Sequence, residues 1–399
     1  MSKLFPTYPI GMIRPVKGEG SWLWDEKGDA YLDFTSGIGV LQLGHGPQEV
    51  KQKVLKQMER VWHTSNLFEI EPQLQLAQKL TEISGMDRVF FANSGAEANE
   101  AAIKLARRYH QMVKKQNRYE VITFLQSFHG RTLATLTATG QDKVKEGFQP
   151  LPTGFITIPY GDIDSLKDAI TSQTAAILLE VIQGEGGIHP AEEEWLVEVE
   201  RIAKEQDILL IVDEVQTGIG RTGKWFGFQH YPIQPDVITI AKGLGSGFPI
   251  GAMIAKEKYK EAFSLGSHGS TFGGNFLVTT AGLATIETIE NQQVIENVIV
   301  KGLYLIDQLE KEIGQYEGYK EIRGKGFMIG IEWNQPVAEL LQIAKDQGIL
   351  LLTAGPNVIR LLPPLNVTIG EIDQAIEKLK RSMAIWLENS KEKSNISIP

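Results

Sequence analysis

With 399 residues, 42% hydrophobic and 22% charged, the chain has an ordinary soluble globular composition and the length for about two or three domains. A formal net charge of −9 without a basic block argues against nucleic-acid binding, and the lack of cysteine removes disulfides, thiolate metal sites and a cysteine nucleophile. No apolar run reaches the roughly 18 residues of a membrane span and "MSKLFPTYPIGMIRP" has no leader-like apolar core, so the expected compartment is the cytoplasm, with no membrane partner.

The first fifty residues read as short strands and turns, with "SWLWDEKGDAYLDF" predicting a hairpin around Lys27-Gly28-Asp29. From about Val50, helices and strands alternate. "PQLQLAQKLTEI" has a helical period, "DRVFFANS" is a strand, "EANEAAIKLARRYHQMV" a long helix and "YEVITFLQSFHG" a strand. "AAILLEVIQG", the helix "EEEWLVEVERIAKEQ", "ILLIVDEVQ" and "DVITIAKG" follow, the last predicting a strand over Val237–Ala241. Apolar, β-branched strands alternating with helices predict an α/β fold with a mostly parallel sheet covered on both faces. Sites in such sheets lie at the carboxyl ends of the strands. Those ends carry Asn93-Ser94-Gly95, Phe128 to Arg131, Gln183-Gly184-Glu185, Asp213-Glu214 and Lys242. Beyond about residue 295 a long helix from Val294 to Gly314, the strand "GKGFMIGIEW", a hairpin around Gly355-Pro356-Asn357 and a helix "EIDQAIEKLKRSMAIWLE" predict a smaller α+β domain. The expected division is residues 1–50 packing with the small domain, 51–295 as the large domain and 296–399 as the small one. The tail "NSKEKSNISIP" is expected to fray.

Lys242 ends an apolar strand and is followed by Gly243, Gly245 and Gly247, a pattern that would clear space around the lysine. Such a lysine either snorkels to water or forms a Schiff base. Asp213 ends the strand before it, where it either caps the next segment or faces a cationic ring nitrogen. Together they are the two protein groups that pyridoxal phosphate chemistry requires. "NSGAEANEAAIKL" reads as a Ser94–Glu97 capping box whose Gly95 and Ala96 leave amides open at a positive helix end, a seat for phosphate. Phe128 offers a flat face and Arg131 a carboxylate fork. Glu185 lies among glycines, to be solvated or paired with an arginine, and Ser270 and Thr271 are hydroxyls in a Gly-rich turn. Arg360, inside an apolar strand, is either a structural ion pair or a clamp for a substrate carboxylate.

"LLIVDEVQTGIGRTGKWFGFQHY", "DVITIAKGLGSGFPIGAM", "NSGAEANEAAIKLAR", "VIQGEGG", "GSTFGGN" and "VIRLLPPL" together resemble class III pyridoxal-phosphate aminotransferases, over about Pro15 to Leu387. The nearest subgroup is the one acting on acetylornithine in arginine biosynthesis. The resemblance implies a fold type I enzyme with a seven-stranded, mostly parallel sheet, a smaller α+β domain and pyridoxal 5'-phosphate as cofactor. It also implies a homodimer with a shared active site. Lys242 would hold the cofactor and shuttle the proton, and Asp213 would pair with the ring nitrogen. Gln216 would bond the phenolic oxygen, Phe128 and Val215 would sandwich the ring, and Ser94, Gly95 and Ala96 would seat the phosphate with Thr271 of the other subunit. Arg131, helped by Ser270, would bind the acetylornithine carboxylate. Arg360 would bind the α-carboxylate of glutamate and be covered by Glu185 when the other substrate is bound. Two departures, Gly46-Pro47-Gln48 after "LGH" and Phe276 after "GGN", touch packing and entrance shape rather than chemistry. Other readings are an ω-amine transaminase for ornithine, succinylornithine, 4-aminobutyrate or an acyl-lysine, a same-fold aminomutase, and a non-catalytic protein. Ornithine aminotransferases place a tyrosine near Gly37-Ile38; this chain has none there, which favours an acylated amine.

Overall fold

The computed structural model describes residues 3–8 and 13–396, with side chains to residue 389. Part of the N-terminal stretch read as leaderless, and the last residues of the tail, lie outside the described residues. The closing helix, Ile369–Ile396, continues through most of the segment expected to fray.

The predicted N-terminal hairpin is present. Strands β1 (Pro15–Glu19), β2 (Trp22–Asp25) and β3 (Ala30–Asp33) form an antiparallel ribbon. The central sheet is built from β4 (Arg88–Ala92), β5 (Glu120–Phe124), β6 (Phe155–Ile158) and β7 (Thr174–Leu179). After a short hairpin, β8 (Ile182–Gln183) and β9 (His189–Pro190), it is completed by β10 (Leu209–Asp213), β11 (Val237–Ile240) and β12 (Gly251–Ala255). The order is β4-β12-β11-β10-β7-β5-β6, seven strands in all. Strands β7, β10 and β11 are buried along their whole length, as continuous apolar runs in a sheet covered on both faces must be.

One strand of the seven breaks the parallel rule. β12 runs antiparallel to both β11 and β4. The nine residues from Lys242 to Ile250 hold only a single 3₁₀ turn, too little chain for the crossover helix that a parallel neighbour needs. The chain doubles back instead, and β4 enters beyond β12 in the direction of the others. The run "GAMIA" was too short to mark this strand. β11 also ends one residue earlier than the sequence predicts, at Ile240.

The C-terminal part carries β13 (Tyr319–Lys325), β14 (Met328–Trp333), β15 (Ile349–Leu350), β16 (Leu352–Thr353) and β17 (Val358–Leu361). The antiparallel order β13-β14-β17-β16 makes a second sheet. β15 instead pairs parallel with β3, so the N-terminal ribbon is stitched to the C-terminal part of the chain. No helix among the described residues is long and apolar enough to cross a membrane.

Candidate active site

A cavity of about 370 Å³ opens at the carboxyl ends of the parallel strands, within the size range of small-ligand sites. Lys242, Asp213, Ser94, Gly95, Ala96, Phe128, Val215, Gln216, Arg131 and Glu185 all line it. Strand pairing explains the convergence. β10 and β11 are parallel neighbours with Asp213 opposite Thr239, so the aspartate that ends one strand and the lysine just after the other emerge at the same edge of the sheet.

Asp213 is 4% exposed, and its charge is met by directed donors. Its Oδ2 accepts from Asn99 Nδ2 and from His129 Nδ1, both at 2.8 Å, while Oδ1 accepts from the Val215 amide at 3.0 Å. Asn99 is fixed in turn, donating to the His129 carbonyl and accepting from the Thr239 hydroxyl at 2.7 Å. The turn-capping reading and the ring-nitrogen reading are therefore compatible: one oxygen holds the turn, and the carboxylate still borders the cavity.

Lys242 sits at φ +39, in the left-handed region that a residue with a Cβ seldom occupies. Burial lowers its pKa, against the raising influence of Glu185, Asp213 and Glu180. That favours the neutral amine a nucleophile needs. The glycines after it do not clear room for a ligand, contrary to the sequence expectation. A Cβ on Gly243 would lie 2.4 Å from Gln42 Nε2, one on Gly245 would lie 2.9 Å from Ile250 Cγ2, and Gly247 has φ +106. They let the backbone pack closely behind the lysine and then turn.

Ser94 caps the helix Gly95–Arg108 by accepting from the Glu97 amide. The capping box is only half formed, because Glu97 reaches back to the Asn93 amide rather than to that of Ser94. The Gly95 and Ala96 amides have no hydrogen-bond partner among the described residues, and both residues line the cavity. A Cβ on Gly95 would meet Val215 Cγ1 at 2.8 Å, so this close approach of helix to strand end demands glycine.

Arg360, 3% exposed, forms a two-pronged pair with Glu185: Nη1 to Oε1 at 2.5 Å and Nη2 to Oε2 at 3.3 Å. Burial pushes the Glu185 carboxyl up, but the Arg360 charge and hydrogen bonds outweigh it and hold it below its usual range. Gln216 Oε1 accepts from Arg360 at 3.2 Å, so Gln216 joins this pair here. Arg131 is exposed at the cavity edge, its guanidinium 5.5 Å from the Phe128 ring centre, with no ion pair among the described residues. Ser270 and Thr271 do not line this cavity. They border a neighbouring depression, where Ser270 Oγ accepts from Asn93 Nδ2 at 3.1 Å.

Sequence reasoning missed Asn99 and Glu180, and placed His129 at a strand end without giving it a role. Glu180 follows β7 as Asp213 ends β10, the same signal of a carboxylate closing an apolar strand. Its Oε2 accepts from the Phe128 amide and its Oε1 from the Gly184 amide, joining two cavity loops. Burial raises its pKa to about 7, opposed by the His129 charge. Glu214 is raised to about 7 by burial as well, though it accepts from the Thr217 hydroxyl and the Gly227 and Phe228 amides. A carboxyl whose pKa is higher folded than unfolded favours folding below the unfolded value, and this is lost as pH rises through the folded value. From pH about 4.5 to 7, Glu214 should therefore remove about 3 kcal/mol of stability. Glu214→Gln should flatten that part of the profile in denaturant unfolding. Parallel profiles for the two proteins would refute the shift.

A lysine and a buried aspartate at neighbouring strand ends, beside a helix N-terminus with open amides, define a pyridoxal-phosphate enzyme of fold type I. The family model for class-III aminotransferases matches residues 7–383, and the chain belongs to that family. Its members use pyridoxal 5'-phosphate. The chain is 50% identical to the acetylornithine aminotransferase of Bacillus subtilis (strain 168), over 96% of this chain and 98% of that one. It is 50% identical to the acetylornithine aminotransferase of Oceanobacillus iheyensis, over 95% of each. Among solved structures, the ornithine aminotransferase of Toxoplasma gondii, with partial occupancy of the cofactor at its active site, matches with a TM-score of 0.93 and 30% identity. That match covers 98% of this chain and 94% of the other. The acetylornithine aminotransferase of Elizabethkingia anophelis matches with a TM-score of 0.84 and 30% identity, covering 95% of each.

Proposed function

We propose that this enzyme moves the δ-amine of N2-acetylornithine to 2-oxoglutarate, giving N-acetylglutamate 5-semialdehyde and glutamate, as a step of arginine biosynthesis in the cytoplasm. One observation carries the substrate reading: Arg131 lines the cavity with no ion pair among the described residues, while Arg360, buried behind the cavity-lining Glu185 and Gln216, is closed by Glu185. The names of the half-identical relatives point the same way.

The residues present fit the cofactor. The open amides of Gly95 and Ala96 suit its phosphate, Asp213 its ring nitrogen, Lys242 its aldehyde carbon, and Phe128 and Val215 its two faces. When bound, the cofactor supplies an electron sink for the carbon that bears the reacting amine. Lys242 would shuttle the proton between that carbon and the cofactor, and burial, which lowers its pKa, favours the neutral amine that can accept it. Arg131 receives the distal carboxylate of each substrate. Arg360 receives the α-carboxylate of glutamate only, so it must be screened while acetylornithine reacts, and Glu185 is the screen.

Lysine does not reproduce a guanidinium fork. Arg360→Lys should therefore slow the glutamate half-reaction far more than the acetylornithine half-reaction, by about tenfold or more. Arg131→Lys should slow both. Single-turnover rates test this, and equal losses in both halves for Arg360→Lys would remove the switch.

Initial rates with acetylornithine, succinylornithine, ornithine and 4-aminobutyrate, with 2-oxoglutarate as acceptor, test the substrate. A clear preference for ornithine or 4-aminobutyrate would replace this assignment by another ω-amine transaminase. Turnover without 2-oxoglutarate would indicate an aminomutase.

We also read the active form as a homodimer. Trp62, Leu67, Phe68 and Phe272 are large apolar side chains, each more than half exposed, on two segments tied together. Asn66 Nδ2 donates to the Ser270 and Gly273 carbonyls, and the His63 and Phe272 rings are 5.2 Å apart. A partner covering this face would take Thr271 into its own cavity.

A further inference from the structure

Glu185 sits in the loop between β8 and β9, and that loop lies across a single row of the second sheet. Arg323 on β13 is directly opposite Gly330 on β14, and Gly330 is directly opposite Arg360 on β17. Directly paired residues share a face, so the two arginines flank a gap left by the glycine. Ile188 occupies that gap. A Cβ on Gly330 would lie 3.0 Å from Ile188 Cβ.

On one side of the gap Arg360 holds Glu185 and reaches the Gly184 carbonyl at 3.4 Å. On the other, Arg323 Nε donates to the Gly187 carbonyl at 2.9 Å and the Ile188 carbonyl at 3.0 Å. Its Nη2 donates to Gly187 again at 2.6 Å. The Arg323 side chain is 11% exposed and is itself gripped by Glu321 and Glu332.

This grip holds a segment that would not keep its shape unaided. Ile188 is β-branched and fully buried, yet has φ +56. Gly187 has φ +128, and a Cβ on Gly186 would lie 2.5 Å from the Gln126 carbonyl oxygen. A backbone pinned this way leaves Glu185 only its side chain to move.

We infer that Arg323 is the positioning residue of the Glu185–Arg360 pair: by fixing the 186–188 backbone it sets how strongly Glu185 closes over Arg360, and so how the enzyme divides its efficiency between the two half-reactions. The inference rests on the reading of Glu185 as the screen of Arg360. Acetylornithine reacts with Glu185 closed and glutamate with it displaced. The ratio of their kcat/KM values therefore follows the closed-to-open equilibrium of Glu185. A substitution that only weakens the fold lowers both values and leaves the ratio alone.

Arg323→Lys keeps a cation for Glu321 and Glu332 but cannot fork onto two carbonyls. In the holoenzyme it should shift the acetylornithine-to-glutamate ratio of kcat/KM about tenfold toward glutamate, the order expected for neighbours in one ion-pair network. Gly330→Ala, which crowds Ile188 and Val358 without touching either arginine chemically, should shift it the same way. In a Glu185→Ala background, Arg323→Lys should leave the ratio where Glu185→Ala put it. An unchanged ratio for Arg323→Lys, or an equal shift with Glu185 absent, would overturn the role of Arg323 alone. If Glu185→Ala by itself leaves the parent ratio, the screen reading falls and the inference with it.

Discussion

Lys242→Ala should lose at least about 10²–10⁴ of the turnover, the contribution of one positioned proton-transfer group. The native protein should be yellow when it carries pyridoxal phosphate, and borohydride should fix the cofactor to Lys242 rather than to any other of the chain's lysines. The geometry behind this is specific. The residue stands at the end of β11 with φ +39, and its backbone is backed by Gln42 through the missing Cβ of Gly243. Gln42 is itself tied to the Gly218 and Ile219 carbonyls. The strained conformation is held from behind while the amine faces the cavity. Covalent label on a different lysine, or a protein that stays colourless after adding the cofactor, would refute the assignment. Near-normal turnover in Lys242→Ala would do so independently.

Asp213 and Lys242 were legible because each places a charge at the end of a run with no other charged residue, where burial makes a charge costly. Local chain chemistry was enough to find them. Glu180 carries the same signal but was hidden by the apolar Val181 and Ile182 after it, which made the strand look unfinished. Asn99 and His129 could not be read, since their value lies in pointing at Asp213 across 114 and 84 residues. Arg323 was hidden for a related reason. Its partners include backbone carbonyls more than 130 residues away, and a carbonyl has no letter in the sequence. Arg360 shows the intermediate case. Its apolar setting marked it, but only the fold shows which carboxylate answers it. The glycines after Lys242 show the opposite failure: the pattern was seen, and its cause was misread as space for a ligand instead of close packing on Gln42. β12 was missed because antiparallel return is dictated by the short connection before it, not by its five residues.

Asp213→Asn is the second large effect, and the hydrogen bonds around the residue say what kind of loss to expect. In the parent, Oδ2 accepts two donors and Oδ1 accepts the Val215 amide, so every contact at the carboxylate is an N–H pointing inward. An asparagine has one accepting oxygen. Whichever way its amide turns, its own N–H₂ faces a donor, either Val215 or the Asn99–His129 pair. His129 offers little relief, because its ring is buried and its Nε2 has no partner among the described residues. The larger consequence is chemical: the negative charge that would keep a ring nitrogen protonated is gone. The phosphate seat at Gly95 and Ala96 and the lysine are untouched, so the variant should still bind cofactor and still show colour. Turnover should fall by about 10²–10³, as for the loss of one preorganised electrostatic group, and the fall should lie in proton removal from the substrate carbon. A substrate deuterated at that carbon would then react more slowly in the variant than the parent's isotope effect predicts. Near-normal turnover, or a loss explained wholly by weaker cofactor binding, would show that Asp213 holds the turn and not the ring.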